Sequence, residues 1–492
     1  MRQAVINFLN SKKEYVLLAG LAAGIYPFLR YLNIRFFIVN SPRHILFFGT
    51  LFLVLPAVTA YLFYFISTKV KILHKYSKFV LPFVNFSVFS VLLILITVGV
   101  KKKLIVLALV AAVILAVLLY KHLKKVVIFQ FILGLMAFSV LAIKYYHSIN
   151  QSYEWMDQPD DIESVIFKKK PNIYVIQPDG YASFSELRKG YYDFDNSNFE
   201  SFLHDQNFKL YTDFRSNYES TLYSNSSLFA MRHHQYLAKD NKENEFYDFR
   251  SVIIESNPVL SVLERNNYKT HLLLQEPYFV LGKSDLGYDY CNIQPEELSF
   301  FSGAFDMDND IKSDLNALIN NNEVGPNFYF IEKIKPWHVE NRQSNSKGIK
   351  EEGDLYLKRL IEVNEWLVDV VSSINQNDPN SLIVIIADHG GYVGFDYQSQ
   401  SRTKTLDRDL LYSIFGSALA VKWPNGEVPT YDNQLKTSVN LFRVLFSYLG
   451  ENDSYLKQLE HDKSYLIIEE EAPAGVYETI DDTGEIVFEK VE

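Results

Sequence analysis

The chain of 492 residues contains one cysteine, Cys291. A single thiol excludes an internal disulfide framework and any site built from several thiolates. The first 150 residues also contain almost no acid, because Glu14 stands there against 17 Lys and Arg. The rest of the chain has the opposite balance, with 57 acids against 31 Lys and Arg. Two such compositions indicate two environments, and the length suits two or three domains.

Long uncharged apolar runs fill the basic region, and a transmembrane helix needs about 20 such residues. The candidate spans are Tyr15–Leu29, Ile45–Ile66, Phe79–Val100, Leu104–Tyr120 and Val126–Ile143. No small-residue cleavage site follows the first run, so it does not indicate a signal peptide. These runs predict a helical transmembrane domain over residues 1–150 with about five helices.

The positions of the basic residues predict the orientation of these helices, since Lys and Arg favour cytoplasmic loops. With the N-terminus inside, the inner set is Arg2, Lys12, Lys13, Lys69, Lys71, Lys75, Lys78, Lys121, Lys124 and Lys125, and the outer set is Arg30, Arg35, Arg43 and Lys101–Lys103. Five crossings then place the acidic region outside the inner (cytoplasmic) membrane. No acid lies in any span, which favours an anchor or a lipid-facing platform over a transporter.

The acidic region alternates short apolar runs with helical patterns. The strand candidates are Asn172–Gly180, Thr270–Gln275, Asn327–Ile334, Leu382–Asp388 and Ser417–Trp423; the helix candidates are Asn198–Gln206, Pro258–Asn266, Asp310–Ile319, Leu355–Ile374 and Gln434–Leu449. This pattern predicts an α/β domain with a mainly parallel sheet covered on both faces. We assign residues 151–170 to a linker, 171–463 to the α/β domain and 464–492 to an acidic hairpin or tail.

Two of the predicted strands end on acids followed by glycine. Asp179 precedes Gly180, and the pair Asp388–His389 precedes Gly390. Ligands bind beyond the carboxyl ends of such strands, and glycine permits close backbone approach. Asp-Gly is also ordinary turn chemistry, but a turn does not need the imidazole of His389. Two carboxylates and one imidazole suit a divalent cation such as Zn²⁺ or Mn²⁺.

A hydroxyl-rich stretch, "SNYESTLYSNSSLFAM" (Ser216–Met231), could complete such a site. A Ser or Thr at a helix N-terminus lies among free N–H groups at the positive end of the dipole. Metal coordination would make that hydroxyl nucleophilic at neutral pH. The alternative is that these hydroxyls are helix caps.

The stretches "PNIYVIQPDGYAS", "SNYESTLYSNSSLFAM" and "LIVIIADHGGYVG", in this order, resemble the alkaline phosphatase superfamily. The likeness is to its sulfatase-like branch, with lipoteichoic acid synthases and phosphoethanolamine transferases, which join N-terminal membrane helices to an extracytoplasmic catalytic domain. It covers about residues 171–450 and implies an α/β/α sandwich. It also implies that one divalent ion (Mn²⁺ or Zn²⁺, with Mg²⁺ possible) is held by Asp179, Thr221, Asp388 and His389.

The same resemblance implies that Thr221 is the nucleophile, since the branch often shows Asn-Tyr-x-x-Thr, which begins here at Asn217. Ser220 is the adjacent rival, and Ser224 and Ser226 are weaker ones. For substrate binding we name Asn217 and His338.

Relatives often have a Pro-His pair where His338 stands. Here Trp337 separates Pro336 from His338, so an ordinary loop histidine is the alternative. The run Arg232–His234 is interpreted as a solvated basic turn.

Two differences from other members of the superfamily limit the reactions that the site would catalyse. Cys291 lies in "YCNIQPEE", which is not the C/S-x-P-x-R motif of formylglycine sulfatases. The soluble histidines besides His389 show no Asp-x-x-x-His spacing typical of a second metal; they are His204, His233, His234, His271, His338 and His461. A single metal is therefore expected.

These observations predict a transferase that moves a phosphate-containing head group from a phospholipid donor to a glycan or lipid acceptor through a phospho-threonine. The alternatives are a metal-dependent phosphodiesterase or phosphatase-type hydrolase, and an inactive relative that binds a partner. We expect membrane lipids as partners and no nucleic acid.

Overall fold

The computed structural model describes residues 2–39, 41–237, 247–283, 285–320 and 325–491. The chain divides into two compact units, Met1–Asn150 and Gln151–Glu492. The first unit is helical and the second mixes helices with two sheets.

Helices form the first unit: α1 (Arg2–Asn10), α2 (Val16–Ile34), α3 (Pro42–Gly49), α4 (Leu55–Lys69), α5 (Ser77–Val98), α6 (Lys102–Leu119) and α7 (Leu123–Ile149). Within the described residues, four helical stretches are long and apolar enough to cross a membrane: Val16–Ile34, Pro42–Lys69, His74–Val98 and Lys102–Met156. The difference from the predicted number of about five lies in the last stretch, which contains two of the predicted runs.

That last stretch does not form one straight helix. A short 3₁₀ turn at Tyr120–His122 separates α6 from α7. The Tyr120 ring lies 5.0 Å from the ring of Phe79 at the start of α5, and α6 follows α5 after only three residues. Helices α5 and α6 therefore form an antiparallel hairpin. The 3₁₀ turn at Tyr120–His122 lies at the end of this hairpin where α5 begins.

The helices of the first unit pack through small residues and buried amides. A Cβ atom at Gly24 of α2 would lie 1.6 Å from the Phe52 carbonyl oxygen, so only glycine permits this approach. Asn85 and Gln130 exchange two hydrogen bonds of 2.9 and 3.0 Å. Both residues are uncharged and lie within predicted spans, so the absence of acids from the spans did not indicate them. Small residues and such amides are the usual contacts between membrane helices.

In the second unit the main sheet has the order β2-β7-β6-β1-β5-β3-β4. Its strands are β1 (Ile173–Pro178), β2 (Lys209–Leu210), β3 (Lys269–Leu274), β4 (Tyr290–Cys291), β5 (Asn327–Lys333), β6 (Leu382–Ile386) and β7 (Leu419–Lys422). The pairs from β6 through β4 are parallel, while β7 and β2 add antiparallel pairs at one edge. The predicted mainly parallel sheet is confirmed.

Helices cover both faces of this sheet: α8 (Ser197–Asp205), α9 (Thr221–Ala230), α10 (Phe249–Ile254), α11 (Pro258–Arg265), α12 (Ile311–Asn320), α13 (Ile349–Asn377), α14 (Arg408–Phe415) and α15 (Leu441–Gly450). Helices α9, α11 and α15 pack in one apolar core, and α8, α12, α13 and α14 pack in the other. Alternate residues of each central strand enter the two cores. The unit is therefore an α/β/α sandwich, as expected.

Residues 151–170, which we assign to a linker from the sequence, lie within the second compact unit and pack against it. Ile162, Val165 and Phe167 are buried in the α9-side core. The Asp160 carboxylate accepts a 2.7 Å hydrogen bond from Arg443 of α15. Apolar side chains hidden among the polar ones explain why composition alone suggested a linker.

The C-terminal residues form a second, antiparallel sheet of β8 (Ser464–Ile468), β9 (Gly475–Ile480) and β10 (Ile486–Lys490). The turn between β9 and β10 contains Asp481–Gly484. Strand β8 reaches the hydroxyl-rich stretch, since the Tyr465 N–H donates a 2.9 Å hydrogen bond to the Asn217 carbonyl. This sheet thereby supports the segment that leads into α9.

Candidate metal centre

Two neighbouring parallel strands carry the acidic side chains to one place. Asp179 follows β1 directly, and Asp388 follows β6 by two residues. The strands pair in register, with Ile176 opposite Ile385, so their carboxyl ends lie side by side. Asp179, Asp388 and His389 each offer a ligand atom, and these atoms lie within 4.8 Å of one another.

The two carboxylates are buried without full hydrogen bonding. Asp388 Oδ1 accepts a 3.1 Å hydrogen bond from the Gly180 N–H. Asp388 Oδ2 and Asp179 Oδ1 have no hydrogen-bond partner, although the two residues are 2% and 4% exposed. Burial and the Asp388 carboxylate raise the pKa of Asp179 well above its ordinary value. Unpartnered buried oxygens carry a desolvation cost that a bound cation would remove.

The His389 ring adds a lone pair to this group. Its Nδ1 lies 2.8 Å from the Gly390 carbonyl, which only accepts, so Nδ1 carries the proton. Nε2 then faces Asp388 Oδ2 at 3.4 Å and Asp179 Oδ1 at 3.6 Å. Three acceptors that face one another fit a divalent cation, and the carbonyl bond fixes the imidazole as metal ligands usually require.

The hydroxyl group of Thr221 lies next to these three side chains. Thr221 is the first residue of α9, and its Oγ1 lies 3.4 Å from His389 Nε2. Ser224 and Ser226 donate their hydroxyls to the Tyr218 and Tyr223 carbonyls instead. Ser220 precedes the helix in extended conformation. Of these hydroxyls, that of Thr221 contacts His389 of the candidate ligand group.

Two interactions fix the start of α9 against the strand ends. The amides of Gln177 on β1 and Asn225 on α9 exchange two 2.8 Å hydrogen bonds. The Tyr392 hydroxyl, from the loop after His389, donates to the Glu219 carbonyl just before the helix. Helix α9 and the residue before its N-cap are therefore tied to β1 and to the loop after His389.

Glycine is required at the two turns. Gly180 has φ +71°, and a Cβ atom there would lie 2.3 Å from the Trp337 carbonyl oxygen. A Cβ atom at Gly390 would lie 2.4 Å from the Ser413 carbonyl oxygen. Both loops therefore turn where neighbouring backbone approaches closely, which leaves no room for a side chain at Gly180 or Gly390.

His338 also lies at this site, with its ring centroid 5.8 Å from that of His389. Burial lowers its pKa to about 3, with a further contribution from His389. Its Nδ1 lies 2.5 Å from the Val339 carbonyl, which leaves Nε2 as the acceptor.

An aromatic wall continues outward from His338. The ring of Trp337 lies 5.2 Å from that of His338 and 5.7 Å from that of Phe305. Phe305 in turn stacks on Tyr278 at 5.3 Å. Phe305 is 46% exposed, so the wall runs from the metal group to the surface.

The side-chain amide of Asn217, which we name for substrate binding, is engaged in hydrogen bonds within the protein. Its amide donates to the Lys463 carbonyl at 2.8 Å, and its oxygen accepts from Val439 N–H at 2.9 Å and Ser438 Oγ at 3.0 Å. The side chain is fully buried. Asn217 holds together the segments around α9.

The expectation of a solvated turn is wrong for His234, which is buried. It is 3% exposed and stacks on Tyr218 at 3.9 Å. Its Nδ1 accepts from the Tyr236 N–H, and its Nε2 lies 3.0 Å from the Tyr223 carbonyl. Burial lowers its pKa to about 3.

Glu332 was missed in the sequence although it carries the same signal as Asp179, an acid at the end of an apolar strand. It lies on β5, opposite Gln177 of β1 in the register. It is fully buried, and neither carboxylate oxygen has a hydrogen-bond partner. Burial and the charges of Asp179 and Asp388 raise its pKa well above its ordinary value.

No protein-family model matches the chain, and no curated protein matches its sequence. Among solved structures, it is similar to the C-terminal periplasmic domain of EcEptC from Escherichia coli, with 12% identity over 65% of this chain and 96% of that one and a TM-score of 0.42. It is also similar to the integral membrane protein lipooligosaccharide phosphoethanolamine transferase A from Neisseria meningitidis. That match has 11% identity over 89% of this chain and 96% of that one and a TM-score of 0.42.

Proposed function

We propose that the chain is a membrane-anchored, metal-dependent transferase of the sulfatase-like branch of the alkaline phosphatase superfamily. It moves a phosphate-containing head group from a phospholipid to an acceptor hydroxyl. The observation that carries this proposal is the buried group of Asp179, Asp388 and His389 with the Thr221 hydroxyl 3.4 Å from His389 Nε2.

The ligand set of two carboxylates, one imidazole and one hydroxyl fits Zn²⁺ or Mn²⁺. A divalent ion held there would lower the pKa of the Thr221 hydroxyl and stabilise charge on phosphoryl oxygens. The first turn of α9 adds backbone N–H groups and the positive end of its dipole for the phosphate.

The reaction then has two balanced steps. Thr221 Oγ1 attacks phosphorus, the bond from phosphorus to the diacylglycerol oxygen breaks, and diacylglycerol leaves with the threonine proton. An acceptor hydroxyl next attacks the phospho-threonine, the bond to Oγ1 breaks, and the acceptor proton returns to Thr221. His338 is the residue we assign to contact with the head group or acceptor.

The helices of the first unit anchor this reaction at its lipid substrate. We assign five crossings to them, with Lys102–Met156 crossing twice through α6 and α7. At about 1.5 Å per residue, the 55 residues of that stretch would greatly exceed a hydrocarbon core of about 30 Å. With the N-terminus inside, the α/β unit lies outside the cytoplasmic membrane.

The test is diacylglycerol release from liposomes that contain the full-length protein and labelled phosphatidylglycerol or phosphatidylethanolamine, with and without Mn²⁺ or Zn²⁺. We expect release that needs metal and falls at least about 10³-fold in Thr221→Ala, as loss of a nucleophile requires. Ser226→Ala is the matched control, since it removes a hydroxyl from the same helix that is bonded to the Tyr223 carbonyl.

Other results would assign other functions. Cleavage of a soluble phosphodiester without consumption of either lipid would favour the hydrolase. Metal binding without turnover of any of these substrates would contradict the transferase and favour a binding role.

A further inference from the structure

A cavity of about 250 Å³ lies in the first unit, Met1–Asn150, which we call the membrane unit. Its residues are far in sequence from the proposed metal ligands. The cavity is found where α2, α5 and α7 begin and α6 ends. Its walls include the basic residues Lys12, Lys13, Lys78, Lys121 and Lys124. Ala19, Leu81 and Val127 contribute an apolar part. A polar opening above an apolar floor is the arrangement of an amphiphile site.

The positive charge of this cavity is not balanced within the unit. Glu14, which also lines the cavity, is the only acidic residue of the first 150. Five ammonium groups therefore share one carboxylate.

Aromatic rings hold several of these lysines around the opening. Lys78 Nζ and Lys121 Nζ lie 5.2 and 5.7 Å from the centroid of the Tyr120 ring. Lys124 Nζ lies 5.6 Å from the centroid of the Tyr15 ring. Such contacts favour defined ammonium positions over free movement in solvent.

We infer that this cavity binds the phosphate of an anionic membrane phospholipid. The lysines lie at helix ends, the depth at which head groups meet a membrane helix. Basic pockets between membrane helices at the cytoplasmic side bind anionic head groups. Three chain segments assigned to the inner side by their charge, around Lys12, Lys78 and Lys121, meet at this one cavity. The small volume takes a head group, while the acyl chains would run outward along the apolar helix surfaces.

The inference is separate from the proposed transferase reaction, because none of its residues belongs to the metal centre. It is tested by native mass spectrometry of delipidated full-length protein, titrated with dioleoyl phosphatidylglycerol, dioleoyl phosphatidylcholine or inorganic phosphate. The test variant is K12Q/K78Q/K121Q. The matched control is K101Q/K102Q/K103Q, which loses the same charge from the exposed opposite end of α6.

We expect one saturable phosphatidylglycerol adduct, with affinity at least about tenfold weaker in the test variant and unchanged in the control, given the contribution of each lysine near a membrane surface. K12R/K78R/K121R should retain binding, which separates charge from folding.

Three results would overturn the inference. Equal losses in the test and control variants would indicate only general charge attraction. Equal binding of phosphatidylcholine would remove the role of negative charge. Inorganic phosphate binding as tightly as the lipid would make this a soluble-anion site.

Discussion

Polar side chains are buried in both units, and the two cases differ in how they are satisfied. In the membrane unit, Asn85 and Gln130 satisfy each other through two mutual hydrogen bonds. At the sheet ends, Asp179 and Asp388 leave one oxygen each without a partner. A neutral pair satisfied within the chain stabilises packing, whereas buried unpartnered charges need an external partner. The Asn85–Gln130 pair is therefore structural, whereas the unpartnered oxygens of Asp179 and Asp388 indicate a binding site.

The largest change is expected at Asp179, where Asp179→Asn removes the charge of one proposed metal ligand. Metal affinity should fall more than about 100-fold, since even groups beyond the direct ligands alter affinity by about 10–100-fold. The metal-free variant should nonetheless unfold at a higher temperature than the metal-free native protein, because one of two like charges is gone.

Isothermal titration calorimetry and thermal unfolding with EDTA or Mn²⁺ would measure both effects. Asn225→Ala is the control from a satisfied pair, and it should lower the unfolding temperature with or without metal. If Asp179→Asn lowered the unfolding temperature of the metal-free protein, the claim that the buried carboxylates destabilise that form would be wrong.

His234 is a satisfied buried group that acid would disrupt. Its folded-state pKa, about 3, lies below the ordinary 6.5, so below pH 6.5 the unfolded chain binds a proton that the native state does not. Its stabilising contribution is thus complete above pH 6.5 and is lost as the pH falls towards 3, by at most about 1.4 kcal/mol per pH unit.

Urea unfolding of the full-length protein at several pH values would test this. His234→Gln, whose amide can replace both ring hydrogen bonds, should flatten the pH dependence. His461→Gln is the control because that side chain is 76% exposed. Identical slopes for both variants would rule out His234 as the cause.

Smaller changes in metal affinity and stability are expected at Glu332, a third buried acid near Asp179 and Asp388. Glu332→Gln should weaken metal binding several-fold and raise metal-free stability by about 1 kcal/mol, the order of the cost of an unpartnered buried group. Metal titration and unfolding should show no change for the exposed control Glu297→Gln. Unchanged metal affinity in Glu332→Gln would separate Glu332 from the site.

The smallest effect concerns the amide pair of the membrane unit. A double-mutant cycle with Asn85→Ala and Gln130→Ala should give a coupling of about 0.6 kcal/mol, and no more than about 1.7 kcal/mol. Unfolding in detergent micelles measures it, with Ser90→Ala as a control for an intrahelical hydroxyl. Loss of diacylglycerol release from the folded double variant would instead give these amides a functional role.

The sequence predicted the elements whose signals are local. The apolar runs of β1, β3, β5, β6 and β7 are strands, and acids at strand ends indicated Asp179 and Asp388. Strands β2 and β4 have two residues each and leave no periodic signal. The last predicted helix begins at Leu441 instead of Gln434, because Lys436 and Ser438 hydrogen-bond to the Arg215 backbone.

Roles that depend on distant partners could not be predicted. The burial of His234 requires Tyr218 and Tyr236 to pack around it. The structural role of Asn217 depends on Lys463 and Val439, more than 200 positions away. Glu332 ends an apolar run, as Asp179 does, so its position could have been predicted. Its lack of hydrogen-bond partners is visible only when the strands are assembled.

The most direct test of the proposed reaction is the mass of the peptide that contains Thr221. The full-length protein would be mixed with phosphatidylethanolamine or phosphatidylglycerol and Mn²⁺, stopped in acid within one turnover, and digested. We expect the mass of the head-group phosphate on Thr221 and its absence in Thr221→Ala. Diacylglycerol release with Thr221 unmodified, or with the added mass on Ser220, would contradict the assignment of Thr221 as the nucleophile.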